Sequence, residues 1–155
     1  MRLTKALVAA LALTLTATGV AAQDVGHDFV LAHLGRFAVF ADRASIERQG
    51  DMAGMRAFQV ADAGFRVGDQ AYWGGWSNWR FDCAARTADR LDFASVKEGG
   101  GTAPPFPDNA PAYDAAPGGE AAELLAIACT SNREPAADAL TVEDAVRLGR
   151  AALAD

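Results

Sequence analysis

The chain has 155 residues, 51% of them apolar, and its 20 acidic side chains outnumber 14 Lys and Arg to give a net charge of −6. That length suits one domain with a core of its own. An acidic surface with no concentrated Lys or Arg repels phosphate backbones and anionic lipid, which excludes nucleic acid as a partner.

Residues 1–22 have the three parts of an export signal: Arg2 and Lys5 as the positive start, the apolar stretch Ala6–Thr18, and Val20-Ala21-Ala22 as the cleavage site. The stretch is too short, and too diluted by Thr14, Thr16 and Thr18, to serve as a span of roughly 20 apolar residues. Cleavage after Ala22 would leave 133 of the 155 residues and remove Arg2 and Lys5, moving the net charge from −6 to −8. The new first residue, Gln23, is not cysteine and takes no lipid anchor. The expected location is the periplasm, the cell surface or the medium, with no membrane span.

Phe29-Val30-Leu31 and Phe37-Ala38-Val39-Phe40 are apolar runs of strand length separated by a turn at Gly35. Asp42-Arg43-Ala44-Ser45 has the composition of a tight turn, in which the Asp42 carboxylate accepts from the backbone N–H groups that follow. Ile46-Glu47-Arg48 re-enters an extended segment, and Gln49-Gly50-Asp51 supplies the turn for a hairpin into Met52–Val60. Residues 61–70 have a loop composition.

An aromatic stretch runs from Tyr72 to Phe81. Alternation from Ser77 puts Trp79, Phe81 and Cys83 on a core face, with Trp76, Asn78, Arg80 and Asp82 on the other. Arg86–Phe93 alternates again and is expected to pair antiparallel with this strand. Gly99-Gly100-Gly101 and Pro104, Pro105, Pro107 and Pro111 make 99–111 a long irregular segment, of a kind that is mobile, functional or both. From Glu120 to Cys129 the pattern turns helical, with Ala121, Leu124, Leu125 and Ala128 on one face and Glu120 and Glu123 where the helix dipole favours acids. A second helix is expected from Val142 to Leu153, with Thr141 and Asp144 at capping-box spacing. Its stripe of Val142, Ala145, Val146, Gly149, Ala152 and Leu153 is expected to pack on its own domain, with docking to a second protein as the alternative.

These elements amount to an α+β fold: an antiparallel β-sheet, a helix after the Gly/Pro-rich loop, a C-terminal helix and one disulfide. Residues 23–132 would form the disulfide-linked domain, and 133–155 a linker with the C-terminal amphipathic helix. Cys83 and Cys129 are the only cysteines, and an even count in an exported chain points to a structural bridge with one possible pairing. A redox pair would favour closer spacing beside a helix start, and a zinc site would need two further ligands.

The segment Phe40-Ala-Asp-Arg-Ala-Ser-Ile-Glu-Arg-Gln-Gly50, the Asp82-Cys83 dipeptide and the Pro117-Gly118…Cys129 ending together resemble the surface-adhesin E-like family of small exported bacterial proteins. The likeness covers roughly residues 28–129. It implies a small α+β domain with an antiparallel sheet, a Cys83–Cys129 bridge and no catalytic residues. For the family's name-giving members it also implies attachment to extracellular-matrix proteins such as laminin and vitronectin.

The residues assemble no recognisable catalytic set. His27 and His33 are spaced for neither a helical metal pair nor a triad, and no serine sits in a Gly-x-Ser-x-Gly elbow. Paired carboxylates of a small hydrolase stay open, because sequence does not show their separation. Tyr72, Trp73 and Trp76 flank Gly74-Gly75 and are the candidate ligand anchors if their rings stand on an exposed turn. The alternative is that they close one end of the core. The expected function is that of an exported, non-enzymatic binding protein with no metal or cofactor, engaging a protein partner. A soluble periplasmic accessory protein that docks an envelope partner is the alternative.

Overall fold

The computed structural model describes residues 26–130 and 134–155. The expected export signal at 1–22 and its cleavage site lie outside them. The strands are β1 (Phe29–Leu34), β2 (Ala38–Gln49), β3 (Met52–Val60), β4 (Arg66–Val67), β5 (Gln70–Asp82), β6 (Thr87–Arg90), β7 (Asp92–Lys97), β8 (Phe106–Pro107) and β9 (Tyr113–Asp114). Two helices follow, α1 (Glu120–Cys129) and α2 (Val142–Ala154). The fold is α+β, with an antiparallel sheet in the order β1-β2-β3-β5-β6-β9. None of the helices described is long and apolar enough to cross a membrane.

Strand alternation sends side chains to two faces, and each face is covered by one helix. Val39, Ala41, Met55, Ala57, Trp79 and Phe81 meet Leu124, Leu125 and Ala128 of α1. Phe29, Phe40, Phe58, Val60 and Val96 meet Ala145 and Val146 of α2 on the opposite face. The C-terminal stripe is therefore spent within the domain. Gly149 is what lets α2 come so close: a Cβ there would stand 2.9 Å from Cβ of Val60 and 3.1 Å from the Phe40 ring. At the start of α2, Asp144 N–H donates to the Thr141 hydroxyl at 3.1 Å, as the capping spacing requires. The Asp144 carboxylate accepts from that hydroxyl and from Arg147 Nη2, each at 3.1 Å, and makes no bond back to the Thr141 N–H.

The Cys83–Cys129 disulfide ties the end of β5 to the end of α1. No basic residue stands in the last turn of α1. Arg48 of β2 supplies one from a distance, donating to the Ala128 carbonyl at 2.6 Å, where the helix dipole favours a cation.

The β2–β3 hairpin forms as its sequence requires, with Gln49 paired to Met52 and Gly50 at φ +60°, the conformation for which glycine is suited. Asp42-Arg43-Ala44-Ser45, by contrast, is no turn. Strand β2 runs through it, and the register against β3 slips between Asp42 and Glu47. The Ser45 hydroxyl bridges the bulge, donating to the Asp42 carbonyl at 2.6 Å and accepting from Arg56 N–H at 2.8 Å. Asp42 is fully buried rather than turned back on its own loop. Its Oδ2 accepts from His27 Nδ1 and from Arg56 Nη2, each at 2.9 Å, and its Oδ1 from Asp28 N–H at 3.3 Å.

The Gly/Pro-rich 99–111 segment is largely irregular, as its composition suggests, but it is tacked to the sheet margin: Phe106 and Pro107 pair with β7, Thr102 bridges Val96, and just beyond it Tyr113 and Asp114 pair with β6. Prolines cannot donate onward, so this strip pairs with the sheet while offering few N–H groups to another chain.

Candidate functional site

The aromatic stretch does not form a turn. Gly74 and Gly75 lie in the middle of β5, opposite Val60 and Gln59 of β3 on one side and Val96 and Ser95 of β7 on the other. Gly74 has φ +152°, and a Cβ there would stand 1.7 Å from the Gln59 carbonyl oxygen, so no larger residue fits. The register against β7 is irregular between Tyr72 and Gly74. This break in alternation separates the three predicted anchors: Tyr72 reaches the α1 face, whereas Trp73 and Trp76 pack with the α2-face cluster.

Trp76 has several ring and cation neighbours. The Arg56 guanidinium lies 5.0 Å from its ring centroid, while Phe58 and His27 pack against it at 4.8 and 5.3 Å. Trp76 packs against the core at that end and lines the same cavity as Trp73. Trp73 lies along Gly100 and borders a cavity of about 450 Å³ whose wall includes His27, Thr102, Thr141 and Glu143. Glu98 is held below the usual carboxylate range, first by its bonds to Arg150 and also by the Trp73 indole. His27 and Asp42 form a carboxylate–imidazole pair at this cavity. His33 lies apart, against Gly35. Among the described residues, no group of three or more His, Cys, Asp or Glu is placed to hold a metal ion.

The α1 face carries the more ligand-like cavity, just beyond the first turn of α1. It measures about 500 Å³, within the roughly 300–1,000 Å³ of small-molecule sites. Its lining includes the bare backbone of Gly74-Gly75, onto which the Phe93 ring packs: a Cβ on Gly75 would fall 2.1 Å from that ring. Phe37 and Phe65, edge to face at 6.2 Å, form one wall. Val67 and Tyr72 of the short β4–β5 hairpin form another, and Val67 is 62% exposed at the rim.

Three polar side chains interrupt this apolar lining: Gln59, Ser95 and Arg90. Gln59 Nε2 donates to Glu120 Oε1 at 2.8 Å, which fixes the orientation of the amide. Arg90 Nε donates to Asp108 Oδ2 at 2.9 Å. Asp108 is held below the usual carboxylate range, first by Ala110 N–H and then by Arg90. Beyond Arg90 a smaller cavity of about 250 Å³ adjoins Tyr113, whose hydroxyl is pushed up by burial and then by the Glu120 charge.

Of the sequence-derived anchors, Tyr72 alone lines this cavity. Phe37, Phe65 and Phe93 come from separate elements, and only the paired glycines beneath them leave a signal in the sequence. No family model, no curated protein and no solved structure matches the chain.

Proposed function

We propose that the chain is an exported, non-enzymatic binding protein that holds a small, largely apolar ligand on the α1 face. The observation that carries this reading is the glycine-based aromatic cavity. Strand β5 places two residues without side chains at the centre of a sheet, the Phe93 ring of β7 packs onto Gly75, and rings from the segments before β2 and β4 and from β5 surround the cavity that remains beside them. A fold seeking only stability would fill such a space, since each unfilled apolar volume forfeits dispersion contacts. Export is supported by the signal-like first 22 residues and by the one disulfide.

The test is titration of the whole chain with the neutral fluorescent probe N-phenyl-1-naphthylamine. Saturable enhancement is expected, and it should vanish in Ser95→Phe, which places a ring in the cavity. Should that variant not fold, Val67→Trp at the exposed rim serves instead. Absence of saturable binding, or binding undiminished in the filled variant, would overturn the reading.

A second reading, attachment to an extracellular-matrix protein in the manner of the surface-adhesin E-like family, has one observation in its favour. Phe106 of β8 is 78% exposed, and Tyr113 of β9 is also exposed on the same margin. Adsorption to immobilised laminin or vitronectin that disappears in Phe106→Ser would support it. Equal adsorption by the variant would remove its basis.

A further inference from the structure

We propose that the ligand of the α1-face cavity is a small apolar carboxylic acid, its anion at Arg90 and its hydrocarbon body among the rings. This rests on the cavity being a binding site. Three features of the lining carry it. Asp108 engages Arg90 only through Nε, which sets the plane of the guanidinium and leaves its two terminal nitrogens without a partner among the described residues. Two parallel N–H donors on a fixed plane are the geometry that a carboxylate matches.

The second feature is the amide of Gln59. Its Nε2 donates one N–H to the Glu120 carboxylate, and that neighbouring negative charge disfavours an anion beside the amide. Glu120, engaged by Gln59, also lines the small cavity beyond Arg90. The guanidinium of Arg90 is thus the group of the lining suited to a carboxylate, while Phe37, Phe65, Tyr72 and Phe93 receive the apolar part.

The third is charge. In a chain of net charge −6, the charged side chain of the lining is the basic Arg90, and the Arg36 guanidinium lies 5.6 Å from the centroid of the Phe37 ring. Arg36 has no ion pair among the described residues. Asp108 offsets part of this field, but it is already spent on Nε. A cationic ligand would meet the Arg90 charge across apolar walls that screen poorly. A neutral acceptor would bond the unengaged guanidinium nitrogens more weakly than a carboxylate does.

The experiment compares 4-phenylbutyric acid with 4-phenylbutanol, two molecules of matched body, as displacers of N-phenyl-1-naphthylamine from the whole chain at pH 7. A hydrogen-bonded ion pair at a partly exposed arginine should let the acid act at a concentration about 10-fold below the alcohol. In Arg90→Gln the two should become equal within about 2-fold. Equal displacement by acid and alcohol in the unmodified protein, or an acid advantage that persists in Arg90→Gln, overturns the carboxylate assignment and leaves the cavity as a neutral apolar site. Failure of the probe to bind at all instead refutes the cavity reading, so the two failures are told apart.

Discussion

Asp42 is the residue whose replacement tests the structure most sharply. Replacing it with alanine leaves three donors facing an empty position: His27 Nδ1, Asp28 N–H and Arg56 Nη2. They do not lose equally. The Arg56 side chain is 46% exposed and can turn to water, so its share is below about 1 kcal/mol. His27 and Asp28 N–H are part-buried, and each unsatisfied donor costs about 1–3 kcal/mol. Asp42→Ala should therefore cost about 3–5 kcal/mol, the range seen when one partner of a buried ion pair is removed. Asp42→Asn keeps the volume and one acceptor oxygen, and should cost about half as much.

Urea denaturation read by tryptophan fluorescence measures both, because Trp76 packs against His27 and Arg56 and reports the site directly. A double-mutant cycle between Asp42 and Arg56 should give a coupling below about 1 kcal/mol. The cycle with His27 should give a larger one. If Asp42→Ala unfolds within about 0.5 kcal/mol of the unmodified protein, the buried carboxylate does not anchor the bulge and the reasoning fails.

The double replacement Cys83→Ala/Cys129→Ala opens a 46-residue loop and should lower stability by up to about 4 kcal/mol in urea; a loss under 1 kcal/mol would mean that the unfolded chain is already restrained across that loop. Gly74→Ala drives a Cβ into the Gln59 carbonyl and should cost at least about 3 kcal/mol by thermal unfolding, whereas an unchanged melting temperature would contradict the close β3–β5 approach. Glu98, Asp108 and Asp144 are all held below the ordinary carboxylate range, by Arg150, by Ala110 N–H with Arg90, and by Arg147 with Thr141 respectively. Their folded forms release protons more readily than the unfolded chain does, so what they contribute is complete above about pH 4.5 and is lost as pH falls through the folded values. Melting temperatures should be level in these terms from pH 7 to 5 and decline below about pH 4.5, and a curve flat to pH 2 would refute this.

Much of the fold is legible along the chain because the signals act over a few residues. Period-two alternation in Ser77–Cys83 places Trp79 and Phe81 in the core, and Gly50 selects the hairpin between β2 and β3. Helical spacing gives α1 and α2 with their buried faces, and Thr141 marks where α2 begins. With two cysteines, a disulfide has a single possible pairing.

What the chain does not spell out depends on partners far away in sequence. Asp42 has the composition of a turn residue, yet its burial comes from His27 and Arg56, each 14 or 15 positions distant. Arg48 caps a helix end 80 residues away. The Gly/Pro-rich 99–111 segment looks like a free loop until Phe106 and Pro107 pair with the edge of β7. The cavity illustrates the same limit: Tyr72 belongs to it and Trp76 does not, although both are aromatic and an even number of residues apart. A single irregularity at Gly74 reverses the face on which the preceding side chains emerge. Sequence periodicity thus determines which residues form each strand and helix, because the repeat is local. The faces beyond a bulge, the partners across the sheet and the side chains that close over the glycines are decided only when the strands register, since a one-residue slip exchanges the two faces.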